Sequence, residues 1–229
     1  MSTNKKVESP EETIGEAMSK TELFIENNGK KITSVIFGLF VLAALIFGFK
    51  VLILEPKLEK ATAMIANAQT IFEQANPDYQ AALDGDANGA GFLEVIGSYS
   101  STPAGNVANH YAGICYLQLG DLDAASKYLS QYKAVEGVPA QFINAQNLGL
   151  QGDIAVEKGD YAKALTLYAG AVGASDNLLT APNYMRKSAL VAAAMGDNAK
   201  AVELYEAIIS TYPSSIEARD AEKYLGAIK

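Results

Sequence analysis

Apolar residues follow two patterns along the chain. Residues 32–49 read ITSVIFGLFVLAALIFGF, eighteen positions without a charge, and Lys50 is followed by Val51-Leu52-Ile53-Leu54. A helix rises about 1.5 Å per residue, so roughly 20 apolar residues cross the hydrocarbon core of a bilayer. The run predicts one transmembrane helix over 32–54, with Lys50 snorkelling outward from near one end. A cleaved leader fits poorly: 31 residues, most of them polar, precede the run, and Leu54-Glu55-Pro56-Lys57 offers no small-x-small cleavage site. Past Pro56 the period becomes helical. Leu58, Ala61, Ile65, Ala68, Phe72 and Ala75 recur at spacings of three and four, predicting a helix over 58–83. That stripe serves either to pack on the chain's own next helix, over 92–99, or to dimerise. Residues 84–91, rich in Asp, Gly and Asn, predict a loop, and 102–106 predict a turn. The loop lacks the alternation and terminal Glu of a calcium-binding loop.

Ahead of the span, Ser9-Pro10-Glu11-Glu12 and Ser19-Lys20-Thr21-Glu22 carry the Ser-x-x-Glu spacing of a helix start. The second predicts a short helix at the membrane surface ending at Asn27-Asn28-Gly29; residues 1–18 read equally as a mobile tail. Lys20, Lys30 and Lys31 on one side nearly balance Lys50, Lys57 and Lys60 on the other, so positive charge alone hardly sets orientation. A lone N-terminal anchor usually keeps its short tail in the cytosol and exports the larger domain.

The soluble region repeats itself. Gly120-Asp121-Leu122-Asp123-Ala124-Ala125, Gly159-Asp160-Tyr161-Ala162-Lys163-Ala164 and Gly196-Asp197-Asn198-Ala199-Lys200-Ala201 lie 39 and 37 residues apart. Leu129, Tyr168 and Tyr205 each stand four residues beyond the last Ala. Small residues, Gly113, Gly152 and Ala189, sit in the preceding helical stretches, with Tyr116 in the first; Ala171 and Pro213 close the second and third units. Gly at the turn permits a positive φ that ends one helix, and Asp beside it caps the next. Small residues let two antiparallel helices approach, and the aromatic fills the remaining gap.

These residues resemble the tetratricopeptide repeat pattern, from which the chain departs in two ways. The usual 34-residue period is stretched by residues near 135–139 and 175–182. The early Trp position holds Asn109 in the first unit and Leu148 in the second, and falls near Tyr184-Met185 in the third. The resemblance implies an all-α fold, a single N-terminal transmembrane helix followed by a solenoid of helical hairpins. The expected divisions are a cytosolic tail (1–31), the span (32–54), a linker helix with a degenerate first repeat (55–105), three repeats (106–213) and a capping helix (214–229).

Composition narrows the function. The net charge of −8 disfavours a nucleic-acid binder, and residues 55–229 hold 12 of the 18 basic and 20 of the 26 acidic side chains. One cysteine, Cys115, and one histidine, His110, leave no disulfide, zinc site or cofactor site to expect, and their spacing of five turns them apart on a helix as packing residues. No phosphate loop, nucleophile elbow or His-Glu-x-x-His occurs, so an enzyme is not expected. Repeats of this kind bind peptides in a groove lined by their first helices. The terminal-carboxylate clamp of some relatives is missing, its positions in the first unit holding Val107, His110, Tyr111 and Ile114. Groove candidates are Asn109, Tyr116, Asn144, Asn147, Tyr184 and Arg186.

An anchor followed by divergent repeats resembles the YfgM-like ancillary subunits of the bacterial SecYEG translocon, in a Bacteroidetes-type form by Phe92-Leu93-Glu94-Val95-Ile96, Ala104-Gly105-Asn106 and Tyr111-Ala112-Gly113-Ile114-Cys115-Tyr116. That resemblance implies a single-pass inner-membrane protein with a periplasmic repeat domain. Its implied partners are SecYEG, periplasmic chaperones and emerging chains. The alternatives are a scaffold for outer-membrane or envelope assembly, self-assembly through residues 56–75, and an enzyme with an unrecognised site.

Overall fold

The computed structural model describes residues 10–228, with side chains described for 19–227. These residues fall into two compact units, divided in sequence between Pro56 and Lys57. The first contains helix α1 (Pro10–Phe49) and a π-helical turn (Lys50–Leu54), in which the Glu55 N–H reaches back five residues to the Lys50 carbonyl. The reading that a surface helix stops at Asn27-Asn28-Gly29 is corrected, because α1 runs straight through. The polar side chains there bond one turn back along the same helix instead of ending it. Asn28 Nδ2 donates to the Phe24 carbonyl at 2.9 Å, Thr33 Oγ1 to Gly29 at 2.8 Å and Ser34 Oγ to Lys30 at 2.9 Å. The cap at Ser9 lies outside the described residues. The most apolar eighteen-residue window has a mean hydropathy of 2.6, and none of it is buried. It is the one helix among the described residues that is long and apolar enough to cross a membrane.

The second unit opens in α2 (Glu55–Phe72) and continues through α3 (Tyr79–Asp84), β1 (Gly85–Asp86), β2 (Gly89–Ala90) and α4 (Phe92–Tyr99). The helix expected over 58–83 is therefore broken at residues 73–78. Pro77 has no N–H to donate and excludes helical backbone at Asn76, and Asp78 restarts the helix by accepting from the Ala81 N–H at 2.9 Å. The Asp/Gly/Asn loop folds as a small hairpin pairing Gly85 with Ala90 and Asp86 with Gly89. The Asp86 carboxylate accepts from Asn67 Nδ2, from both nitrogens of Asn88 and from the Gly89 N–H. These bonds, led by the Asn88 N–H, hold its pKa below the usual carboxylate value. Residues 102–106 are not a turn but the start of α5: the Thr102 hydroxyl accepts from the Gly105 N–H, and Pro103 takes the first helical position.

From there the chain forms three antiparallel pairs. They are α5 (Pro103–Gln118) with α6 (Leu122–Gln131), α7 (Val138–Glu157) with α8 (Tyr161–Ala174), and α9 (Ala181–Ala194) with α10 (Asn198–Thr211). Helix α11 (Ile216–Ile228) closes the stack, begun by Ser215 capping the Ala218 N–H and buried through Ala218 and Ala221. The three inter-helix turns have the same construction. Gly120, Gly159 and Gly196 take φ of 83°, 74° and 81°. The N–H of the following Asp closes a six-residue loop onto the carbonyl of Tyr116, Ala155 or Ala192. Each Asp carboxylate then accepts from the N–H three residues on, at 2.9–3.1 Å.

The helices meet at the small residues. A Cβ on Gly113 would lie 2.5 Å from Leu129 Cγ, and one on Gly152 the same distance from Tyr168 Cε1. In the third pair, buried Ala189 and Tyr205 take these roles. Gly149 does the same between pairs, where a Cβ would stand 2.1 Å from Tyr184 Cε1. At the N-terminal end the first core is aromatic: Phe72 meets Tyr79, Phe92 and Tyr111 edge-on, and Phe92 stacks on Tyr111.

This packing sets a sign. Helix propensity alone would make Gly149→Ala stabilising by about 1 kcal/mol. The Tyr184 ring reverses this, and we expect destabilisation of about 1–3 kcal/mol in urea unfolding. In a Tyr184→Leu background the same substitution should cost little or nothing, as a double-mutant cycle will show. A stabilising Gly149→Ala in the wild-type background would refute the close approach.

Candidate protein-binding surface

The six groove candidates lie on the first helices α5, α7 and α9, but they do not form one surface. Asn109 is buried, its Nδ2 donating back to the Gly105 carbonyl at 2.9 Å. Tyr116 is half-buried and stacked on Tyr128 of its own hairpin, ring centroids 5.3 Å apart. Asn144 is half-buried and holds the connector before α7. Asn147 is buried against His110, while Arg186 is half-buried, with one guanidinium nitrogen 3.4 Å from Asn183 Oδ1. Tyr184 is buried in a second polar cluster beside Tyr168.

The first cluster joins the first and second pairs. His110, 1% exposed, lies between two amides of α7: its Nε2 is 3.2 Å from Gln146 Oε1 and its Nδ1 is 3.2 Å from Asn147 Nδ2. An amide nitrogen only donates and an amide oxygen only accepts. With the amides so oriented, Nδ1 accepts and Nε2–H donates, which is the neutral imidazole. Asn147 is steadied in turn by Gln151 Nε2 donating to its Oδ1 at 2.8 Å. Burial pulls the His110 pKa down to about 4 against a smaller opposing effect of Gln146. Cys115 is likewise buried, and its thiol is pushed up to about 12.

The second cluster joins the second and third pairs. Lys187 Nζ bridges both Asp153 carboxylate oxygens at 2.7 and 2.8 Å, and the Tyr168 hydroxyl donates to Asp153 Oδ1 at 2.7 Å. The same ammonium lies 5.8 Å from the ring centroids of Tyr168 and Tyr184. Burial, then the hydrogen bond to Asp153, drives the Tyr168 phenol upward; burial, then the Asp153 charge, pushes Tyr184 to about 12. Both phenols therefore stay protonated, and that of Tyr168 donates to Asp153. Sequence reasoning passed over Asp153 and Tyr168 as site residues. A usable signal was present, since Asp153 is an acidic residue in the interior of a first helix, where it caps nothing. Among the described residues, no group of three or more His, Cys, Asp or Glu side chains is placed to hold a metal ion.

Stacked helical hairpins with small-residue crossings and Gly-Asp turns define a tetratricopeptide-type repeat fold. The tetratricopeptide repeat family model matches residues 185–215, nearly the whole of the third pair. Among solved structures, a crystal structure of the MamA protein is similar with a TM-score of 0.53 at 18% identity, over 74% of this chain and 81% of that one. A second MamA crystal structure aligns with a TM-score of 0.45 at 20% identity, over 60% and 76%. The first likeness is one of fold. No curated protein sequence matches the chain.

The neutral His110 makes stability pH-dependent. Its folded pKa of about 4 lies below the unfolded 6.5, so the unfolded chain binds more protons between these values. The contribution of His110 to stability is therefore lost as pH falls from about 6.5 to about 4, and this contribution changes no further below. The expected loss is on the order of 3 kcal/mol. Urea unfolding at pH 7, 5.5 and 4 should show His110→Gln losing less stability than wild type; parallel losses would exclude His110 as the cause.

Proposed function

We propose that this protein is a non-enzymatic, membrane-anchored adaptor that binds other proteins through its repeat domain. On this reading it is an ancillary subunit of the SecYEG translocon in the bacterial inner membrane. The tail faces the cytosol, and the periplasmic repeats meet chaperones or emerging chains. The observation that carries the anchor is the exposure of Phe37, Phe40, Phe47 and Leu52 at 68–76% on one uncharged run flanking Lys50. Removing apolar surface from water is favourable by about 25 cal/mol per Å², and lipid is the solvent that removes it from every side of a single helix. The adaptor role draws support from the fold: stacked hairpins present an extended surface built from several repeats.

Two measurements test this. Sodium carbonate washing should leave the chain in the membrane pellet, and protease added to intact spheroplasts should digest the repeat domain. Protection of that domain would reverse the orientation. Crosslinking in native membranes followed by affinity purification should recover SecYEG subunits. Recovery of outer-membrane assembly factors alone would move the function to envelope assembly.

A further inference from the structure

The connector between α6 and α7, residues 132–137, is held by two asparagines. Asn106 on α5 donates through Nδ2 to the Lys133 carbonyl and accepts from the Lys133 N–H, both at 2.8 Å. Asn144 on α7 grips Val135 in the same manner, at 2.8 and 3.1 Å, and its Oδ1 also accepts from the Tyr132 hydroxyl. An amide that spans both the N–H and the C=O of one residue substitutes for half of an antiparallel strand pair. The connector enters this grip in extended backbone, Tyr132 having φ −65° and ψ 130°. In extended chain, successive residues direct their N–H and C=O to opposite edges. With Lys133 and Val135 turned towards the helices, Ala134 and Glu136 turn theirs away. Both residues are exposed, and their backbone groups have no partner among the described residues.

Two further features lie along this strap. A cleft of about 340 Å³ runs beside it, lined among others by Thr102, Asn106, Asn109, Gln131 and Ala134. Asn109 is 5% exposed, and its Oδ1 is the one buried side-chain polar atom among the described residues without a hydrogen bond. Val135 on the strap, with Val138 and Phe142 on the first turns of α7, is exposed to solvent.

We propose that residues 132–137 form a docking edge for an extended segment of a partner protein. The segment adds to the strap as a second strand, pairing its backbone with Ala134 and Glu136. It lays an apolar side chain against Val135, Val138 and Phe142. An unpaired strand edge recruits any extended chain that presents N–H and C=O in register. The asparagine grips order the strap beforehand, so the conformational cost of binding falls on the partner. Lys133 and Glu136 give the strap both signs of charge, and selection therefore rests on backbone and apolar contact. This inference rests on the adaptor reading and names the place where binding occurs.

The test uses the full chain in lipid nanodiscs and a fluorescein-labelled, end-blocked ten-residue peptide of alternating Thr and Val, followed by anisotropy. Ala134→Pro deletes one outward N–H and spares both grips; Glu136→Pro does the same at the next outward position and serves if the first variant unfolds at a lower temperature than wild type. We expect saturable binding to wild type. Binding should be about tenfold weaker for the proline variants, and for the same peptide N-methylated at alternate residues. Equal affinity of the variants overturns the docking edge, as does absence of saturable binding. Self-association of the wild-type chain that Ala134→Pro abolishes would assign the edge to a second copy and also overturn it. If the proline variants still recover SecYEG subunits while the peptide fails to bind, the edge is lost and the adaptor role survives.

Discussion

The second unit depends on how closely its helices approach at a few positions without side-chain bulk. Gly113, Gly149 and Gly152 leave room that Leu129, Tyr184 and Tyr168 fill, and no Cβ fits in any of the three. Because these contacts are so short, a pair of thin helices buries large residues at a single layer of thickness. Alanine supplies much of the remaining interface: Ala112, Ala125, Ala145, Ala164, Ala171, Ala192 and Ala201 are all buried, beside Cys115, Ile154, Val191 and Ile208. A core of this kind draws its stability from contact density more than from large apolar side chains. It has little slack for added volume.

Where helices of neighbouring pairs meet, the contacts also include polar groups. His110 with Gln146 and Asn147, and Asp153 with Tyr168 and Lys187, each join residues 15–37 positions apart. A buried imidazole whose two nitrogens are taken by one donor and one acceptor tolerates a single register between α5 and α7. A slide along the helix would strand both groups in a medium where an unmet hydrogen bond costs about 1–3 kcal/mol. Apolar contacts drive the stacking, and these polar sets select its alignment.

Much of this was legible beforehand. The Gly-Asp-x-x-x-Ala recurrence located three turns whose Schellman closures and Asp caps match in detail, because the chemistry at these turns is local. The small and aromatic positions followed from the same spacing. Local signals also misled: Asn27-Asn28-Gly29 and residues 103–106 have turn composition yet lie in helices, since side-chain bonds to the preceding turn and a Thr102 cap followed by Pro103 are compatible with helix. Pro77, two residues past the last position of the apolar stripe, breaks the helix expected over 58–83. At the candidate surface, sequence favoured polar residues on the first helices and could not tell which would be consumed internally. Asn147 and Tyr184 went to inter-pair contacts and Asn144 to the strap, because those partners lie in other hairpins or in irregular backbone that no periodicity describes.

The buried residues separate into several clusters along the chain, each drawn from one or two adjacent hairpins. Such an array behaves as a row of coupled springs rather than a single block. A hairpin at the free end opens for the cost of one interface, while one in the middle must surrender two. A load applied across two hairpins is shared between them, and a guest bridging that junction adds its binding energy to the joint. The array thus stiffens where it is occupied and stays supple elsewhere, a mechanical property that a single continuous core would not have.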